Sequence, residues 1–227
     1  MAIVKKYRAE IVSIKNSIEG VYTLEIKSLD KPFKYDAGQF LHLALDEYDP
    51  SSQWPDSRCF SMQSAPGEEH IKITYAAKGK FTSRMEKELR TGSEVWLKLP
   101  YGDLFTQPHN KTNTVFIAGG TGITPFLSLF THESFDEYIN PKIYLGFRSN
   151  AYNIYQDEID RSRNSSTFVK FYLEDKDGII DIQRIAEENS IENNYFISGP
   201  PGMIKSFKQF LISKGVPENH VLTDDWE

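Results

Sequence analysis

A chain of 227 residues with 26% charged and 39% hydrophobic residues has the composition of a water-soluble globular protein, with room for one large domain or two of ordinary size. Its net charge of −6, with no basic run, argues against nucleic acid or an anionic membrane as partner, and no apolar run reaches the length of a membrane span. The single cysteine, Cys59, excludes an intramolecular disulfide and a cysteine-ligated iron–sulfur cluster; no metal site is expected. The N-terminus lacks the apolar core of a signal peptide, so the expectation is a cytoplasmic protein.

Residues 1 to 106 read mostly as strands. Apolar, β-branched and aromatic residues alternate or run together at Ile11 to Ile14, Val21 to Ile26, Phe40 to Leu45, Arg58 to Met62, His70 to Tyr75 and Glu94 to Leu99. Gly20, Asp36-Ala-Gly38 and Pro50-Ser-Ser52 punctuate them. One short helix is expected at Thr82 to Leu89, with Arg90-Thr-Gly92 after it. Many short strands with closely spaced turns predict a closed antiparallel β-barrel of Greek-key type.

The polar, turn-rich stretch 107–113 reads as a linker. From 114 to 227 strands alternate with helices: Val115 to Ala118, Lys142 to Phe147, Phe168 to Leu173 and Tyr195 to Ile197, with helices at Phe126 to Phe130, Tyr155 to Arg161 and Gly202 to Lys214. That order predicts an α/β domain with a doubly wound parallel sheet.

The stretch from Val115 to Pro125 is the most informative. A buried strand breaks into glycines, and Thr124-Pro125 offers a cap and a first-turn proline for the next helix. Glycines let main-chain N–H groups approach a ligand, and a helix end favours an anion, so a dinucleotide pyrophosphate fits. The motif is neither a P-loop nor the usual G-x-G-x-x-G, since no Lys-Ser/Thr follows Gly122 and Pro125 holds the last glycine position. A ligand-free tight turn would use the same glycines.

Three further stretches suit a nucleotide enzyme. In Arg58-Cys-Phe-Ser61 a cation and an aromatic alternate on one strand face, with Ser61 opposite. Arg58 can grip a phosphate and Phe60 can pack on a flat ring, although the same spacing serves a core phenylalanine and a surface ion pair. Gly79 to Met85 opens a helix with Thr82 as its expected N-cap, a second anion-ready end or simply a cap. Tyr195 to Met203 ends a strand in Ser198-Gly199 before a proline pair, at a carboxyl end of the sheet, where ligands of open α/β folds collect; a merely structural turn would explain it too.

Taken together, Arg58-x-Phe-Ser, the Gly79-to-Thr82 loop, Pro100-Tyr-Gly102, Gly119-Gly-Thr-Gly-Ile-Thr-Pro125 and Ser198-Gly-Pro-Pro-Gly-Met203 occur in the order of the ferredoxin–NADP reductase superfamily, which the chain resembles over nearly its whole length. The resemblance implies a flavin-binding barrel, residues 1–106, and a nicotinamide-nucleotide domain, residues 114–227, with hydride passing from NAD(P)H to flavin and electrons onward. It places Arg58 on the flavin phosphate, Phe60 against the isoalloxazine or ribityl, and Ser61 near the hydride-accepting nitrogen. Thr82 and the Ser83 N–H would hold the pyrophosphate. Gly120, Thr121, Gly122 and Thr124 would underlie the nicotinamide nucleotide, with Gly199, Pro200 and Met203 on its far side.

Three positions depart from the family pattern. Phe60 stands where tyrosine is usual, Ser198 stands where many members carry cysteine beside the nicotinamide, and Trp226 is the candidate for the terminal aromatic that covers the flavin. NADPH-specific relatives place Ser-Arg after the third strand of this domain. Here Glu174 and Asp175 would repel a 2′-phosphate and accept from a ribose hydroxyl, so NADH is favoured over NADPH, with Lys176 and Arg148 opposing. The Thr82 loop favours FAD over FMN. The acceptor stays open: a separate protein, a free flavin, a quinone or a small oxidant. The reading is thus a reductase component of an electron-transfer or oxygenase system. The alternatives are a free-flavin or ferric reductase and a regulatory subunit that binds nucleotide without turnover.

Overall fold

The computed structural model describes residues 3–162, 164 and 166–224, which divide between residues 103 and 104 into two units. The first unit contains β1 (Lys5–Ile18), β2 (Val21–Ser28), β3 (Phe40–Ala44), β4 (Ser57–Ser61), β5 (His70–Ala76), α1 (Lys80–Glu88) and β6 (Glu94–Tyr101). Every strand pairing in it is antiparallel, and the sheet order is β4-β3-β6-β1-β2-β5. Inserting β6 between β1 and β3 is the Greek-key crossing. The sheet curls until its edges nearly meet, where the Gln63 N–H just beyond β4 donates to the Lys72 carbonyl of β5 at 2.7 Å.

A register shift between Ile11 and Ser13 lets the long β1 bend; Lys5 to Glu10 pair with β6 and Ala9 to Ile18 with β2. Alternation does the rest. Leu41 and Leu43 point inward, as do Leu24 with Ile26, Ile71 with Ile73, and Val95 with Leu97, and these pairs form one apolar core. Helix α1 adds Phe81 and Met85 to that core, four residues apart on one face.

In the second unit β7 (Val115–Gly119), β8 (Lys142–Phe147), β9 (Phe168–Leu173), β10 (Tyr195–Ser198) and β11 (Val221–Thr223) pair in parallel in the order β11-β10-β7-β8-β9. The connecting helices are α2 (Thr124–Phe130), α3 (Gln156–Asp160), α4 (Glu174–Asp177), α5 (Ile182–Glu187) and α6 (Pro201–Ser213). From β7 the chain builds outward through β8 to β9, then crosses back to lay β10 against the other side of β7. That reversal puts a topological switch point at the carboxyl ends of β7 and β10.

All seven residues of α2 are buried, which is why its sequence shows no polar face. Its Phe126 and Phe130 join Phe116, Phe135 and Phe196 in an aromatic layer, with Phe116 and Phe196 stacked at 5.4 Å. The opposite layer holds Val115, Ile117, Tyr144, Ile185, Ile204, Phe207 and Leu211. Stretch 107–113, read above as a linker, is mostly exposed but tied to this unit by specific contacts. His109 meets Phe196 edge-on at 4.9 Å and shares a 2.6 Å hydrogen bond with the Tyr138 hydroxyl, while the Asn110 carbonyl accepts from Thr114 and Asn194. Polar composition marked these residues as a connection; their fixed partners lie far away in sequence.

Candidate functional site

The switch point brings two turns together. Ser198 aligns with Ala118 across the β7–β10 pairing, so the turn leaving β7 and the turn leaving β10 emerge side by side. A Cβ on Gly122 would lie 2.5 Å from both the Cα and the N of Gly199, and one on Gly119 would lie 2.9 Å from the Met203 sulfur. Backbone occupies the space a side chain on Gly122 would need, and the Met203 side chain crowds Gly119 and Gly199, so all three glycines are explained by close packing of the two turns. Gly120 differs. Its φ is +57° and nothing lies within 4 Å of its missing Cβ, so it supplies a left-handed turn with an open side. Thr121 beside it is exposed.

Thr124 is not the cap expected of it. Residues Gly120–Ile123 form a 3-10 turn that runs directly into α2, and Ile123 occupies the cap position. Thr124 is buried and donates its hydroxyl to the Thr121 carbonyl at 2.9 Å, tying down the turn from within. It holds the turn's shape and leaves the surface to Gly120 and Thr121.

On the β10 side, Ser198 is 1% exposed and donates its hydroxyl to a carboxylate oxygen of Asp224 at 3.0 Å. The Asp224 N–H in turn donates to the Ile197 carbonyl, fixing the residue that follows β11 beside the end of β10. Pro200 starts α6 from an extended backbone, and the partly buried Met203 folds back over Gly119 and Gly199. Gly119, Gly120, Gly122, Ser198, Gly199, Pro200 and Met203 therefore share one corner of the second unit, together with Asp224.

The acidic segment takes a shape of its own. Glu174–Asp177 is a one-turn helix rather than a loop, with Glu174 and Asp175 exposed. The Asp177 carboxylate accepts from the Leu173 N–H at 3.1 Å, and the Asp175 N–H donates to the Arg148 carbonyl, tying the ends of β8 and β9 together. The Arg148 guanidinium lies over the Tyr152 ring at 5.7 Å.

In the first unit, Arg58 is exposed on β4, paired with Asp56 at 2.7 Å and poised over the Phe81 ring at 5.3 Å. Phe60 is a core residue at 8% exposure, set edge-on to Tyr75 at 6.1 Å, and Ser61 is buried at the strand end. Burial raises the Tyr75 phenol well above its ordinary range, so this neighbour stays neutral. Core packing and an ion pair thus account for Phe60 and Arg58 locally. The cation keeps one solvent-facing side.

Helix α1 corrects the sequence reading in two places. Its cap is Gly79, three residues before the expected cap, and Thr82 is the third helical residue. The Thr82 hydroxyl reaches back to accept from the N–H groups of Gly79 and Lys78, each at 3.0 Å. The Ser83 N–H, assigned above to a pyrophosphate, donates to the Gly79 carbonyl at 2.8 Å. Starting the helix earlier moves the donors without an intrahelical acceptor to Lys80, Phe81 and Thr82. Arg58 lies at this end of the helix through its contact with Phe81.

Comparison with known proteins shows which fold the chain shares. Residues 116–209 match the family described as oxidoreductase NAD-binding domain. The chain superposes over 99% of its length on the ferredoxin reductase of carbazole 1,9a-dioxygenase, with a TM-score of 0.80 at 20% identity and 70% of that chain covered. It covers 93% of a ferredoxin NADP+ reductase from Neisseria gonorrhoeae, solved with bound FAD and NADP, at a TM-score of 0.74 and 19% identity over 95% of its own length. The chain shares the fold of these ferredoxin reductases.

Among curated proteins the chain is 26% identical to the reductase component of propane 2-monooxygenase from Mycolicibacterium smegmatis, over 98% of its own length and 68% of that protein. The chain spans about two thirds of that relative. Asp224 escaped the sequence reading because the first of two adjacent aspartates before Trp226 has no local signature; only the β10–β11 pairing shows its partner. Trp226 itself lies outside the described residues. No helix among the described residues is long and apolar enough to cross a membrane.

Proposed function

We propose that this chain oxidises NADH and delivers the electrons, through a bound FAD, to a separate oxygenase-side acceptor. The observation that carries the reading is a pair of anion-ready turns, one in each unit. One is the start of α1, with Lys80, Phe81 and Thr82 N–H groups beside Arg58. The other is the open Gly120–Thr121 face at the switch point. A dinucleotide cofactor and a dinucleotide substrate need one such turn each.

The residues present fit both groups. In the first unit Arg58 would hold flavin phosphate with its solvent-facing side, Thr82 and the leading N–H groups of α1 would hold the pyrophosphate, and Ser61 would offer a hydroxyl near the ring. Phe60 and Tyr75 would back the site as a neutral aromatic wall. When bound, the flavin supplies the capacity to take two electrons as hydride and release them singly. In the second unit Gly120 and Thr121 would face the nicotinamide nucleotide. Gly122, Gly199 and Thr124 would keep the turns in register, and Ser198 would present its oxygen lone pairs to the nicotinamide end because its proton is committed to Asp224.

The preference for NADH rests on the exposed carboxylates of Glu174 and Asp175, which would repel a 2′-phosphate and could accept from a 2′-hydroxyl. The full-length relative named as a reductase component supports an oxygenase-side acceptor. The first test is the visible spectrum of the purified chain before and after anaerobic NADH. Yellow protein bleached by NADH is the expected result. Colourless protein that takes up no added FAD overturns the reading and leaves a nucleotide-binding subunit without turnover.

A further inference from the structure

The Met203 side chain is seated in a slot that exists only because two facing residues lack side chains. A Cβ on Gly119 would come within 2.9 Å of its sulfur and 3.3 Å of its terminal methyl, and a Cβ on Gly199 within 2.7 Å of that methyl. The thioether therefore plugs the gap between the β7 and β10 turns, closing the base of the corner that holds Gly120 and Ser198. Its exposure sets it apart from the other described methionines. Met62 and Met85 are 0% exposed in the core of the first unit, whereas Met203 is partly open to solvent.

We propose that Met203 is a modification site, oxidised to the sulfoxide by hydroperoxides, and that this oxidation releases the plug and weakens nucleotide binding. The sulfur attacks one peroxide oxygen, the O–O bond breaks and an S–O bond forms. With hydrogen peroxide the sulfur loses two electrons and the second oxygen leaves as water. The product is a polar, branched group in place of a slim apolar one. An added oxygen makes the group bulkier and polar where it sits against Gly119 and Gly199, so the oxidised side chain fits the slot less well. The turns then lose the contact that holds them in register. Reduction of the sulfoxide restores the plug, which makes the device reversible. This inference rests on the nucleotide reading of the corner proposed above.

The test treats the whole chain with graded hydrogen peroxide and follows two quantities: peptide masses covering Met62, Met85 and Met203, and the rise in melting temperature produced by NAD+. Met203 gains one oxygen before Met62 and Met85, the NAD+-induced rise disappears in step with it, and methionine sulfoxide reductases restore the rise. Met203→Leu, compared with its own untreated form, keeps whatever NAD+-induced rise it has through the same treatment. If that variant shows no rise of its own, recovery of the wild-type rise by the reductases decides. Oxidation that does not favour Met203, or sulfoxide at Met203 with an unchanged NAD+ response, overturns this proposal alone. Untreated protein that NAD+ does not stabilise overturns the nucleotide reading, and this proposal with it.

Discussion

Ser198, the last residue of β10, gives its hydroxyl proton to Asp224, the residue after β11, across 3.0 Å. A buried serine that donates to a carboxylate has its proton committed, so toward any further polar group it could serve only as an acceptor. Removing Asp224 takes away the acceptor of the buried Ser198 hydroxyl. Asp224→Ala should lower the melting temperature and slow flavin reduction by NADH. A double-mutant cycle with Ser198→Ala should report about 1–2 kcal/mol of coupling in stability. Additive losses would mean that the pair contributes nothing jointly.

The glycines of the β7 turn should respond unequally to alanine. Gly122→Ala drives a Cβ into the Gly199 backbone at 2.5 Å, where no side-chain rotation can relieve it. It should cost about 1–3 kcal/mol and weaken NADH binding by separating the turns. Gly120→Ala meets no atom and suffers only its left-handed backbone, about 1 kcal/mol. Chemical denaturation of the two variants checks the order, and Gly120→Ala proving the worse would contradict the packing account.

His109 should make the second unit less stable in acid. Burial lowers its pKa most, with Lys111 adding to the effect and a hydrogen bond to the Gln107 carbonyl opposing it. A histidine held neutral when folded binds fewer protons than its unfolded counterpart. Its stabilising contribution is therefore complete above the ordinary value of about 6.5 and declines as pH falls below it. Urea midpoints measured between about pH 7.5 and 5.5 should fall with acidity, and fall less in His109→Gln. Parallel pH dependence in the two proteins would rule His109 out as the source.

Specificity for the nucleotide should be movable by charge. Glu174→Ser with Asp175→Arg replaces two exposed carboxylates by a hydroxyl and a cation at the end of β9. The ratio of kcat/KM for NADPH to that for NADH should rise by about tenfold or more. An unchanged ratio would place the ribose pocket elsewhere. Asp177 is left in place because its carboxylate holds the Leu173 N–H.

Local pattern determined much of this molecule. The alternation of Leu41 and Leu43 with Phe40 and His42 identifies a strand with one buried face, and the glycine break after Val115–Ala118 identifies a strand leading into a ligand-sized turn. Both depend on residues a few positions apart, which is the range over which backbone periodicity acts. The order of strands and helices likewise separated an antiparallel unit from a parallel one. The start of α1 was misplaced because Thr82 is a good cap by composition, and Gly79 is preferred only once the Thr82 hydroxyl can reach back to its N–H.

Other features exist only after distant segments meet. Sequence treats Gly120 and Gly122 alike, yet one faces open space and the other the backbone of Gly199, 77 positions later. The Ser198–Asp224 pair requires β11 to lie beside β10, and the seat of Met203 requires two turns that both lack side chains. Arg58 shows the same division: its cation is legible in the sequence, while its place over Phe81 at the start of α1 is set by the barrel's closure. Periodicity encodes which face of an element is buried. It does not encode what that face meets, because packing contacts join residues whose separation along the chain carries no regular signal.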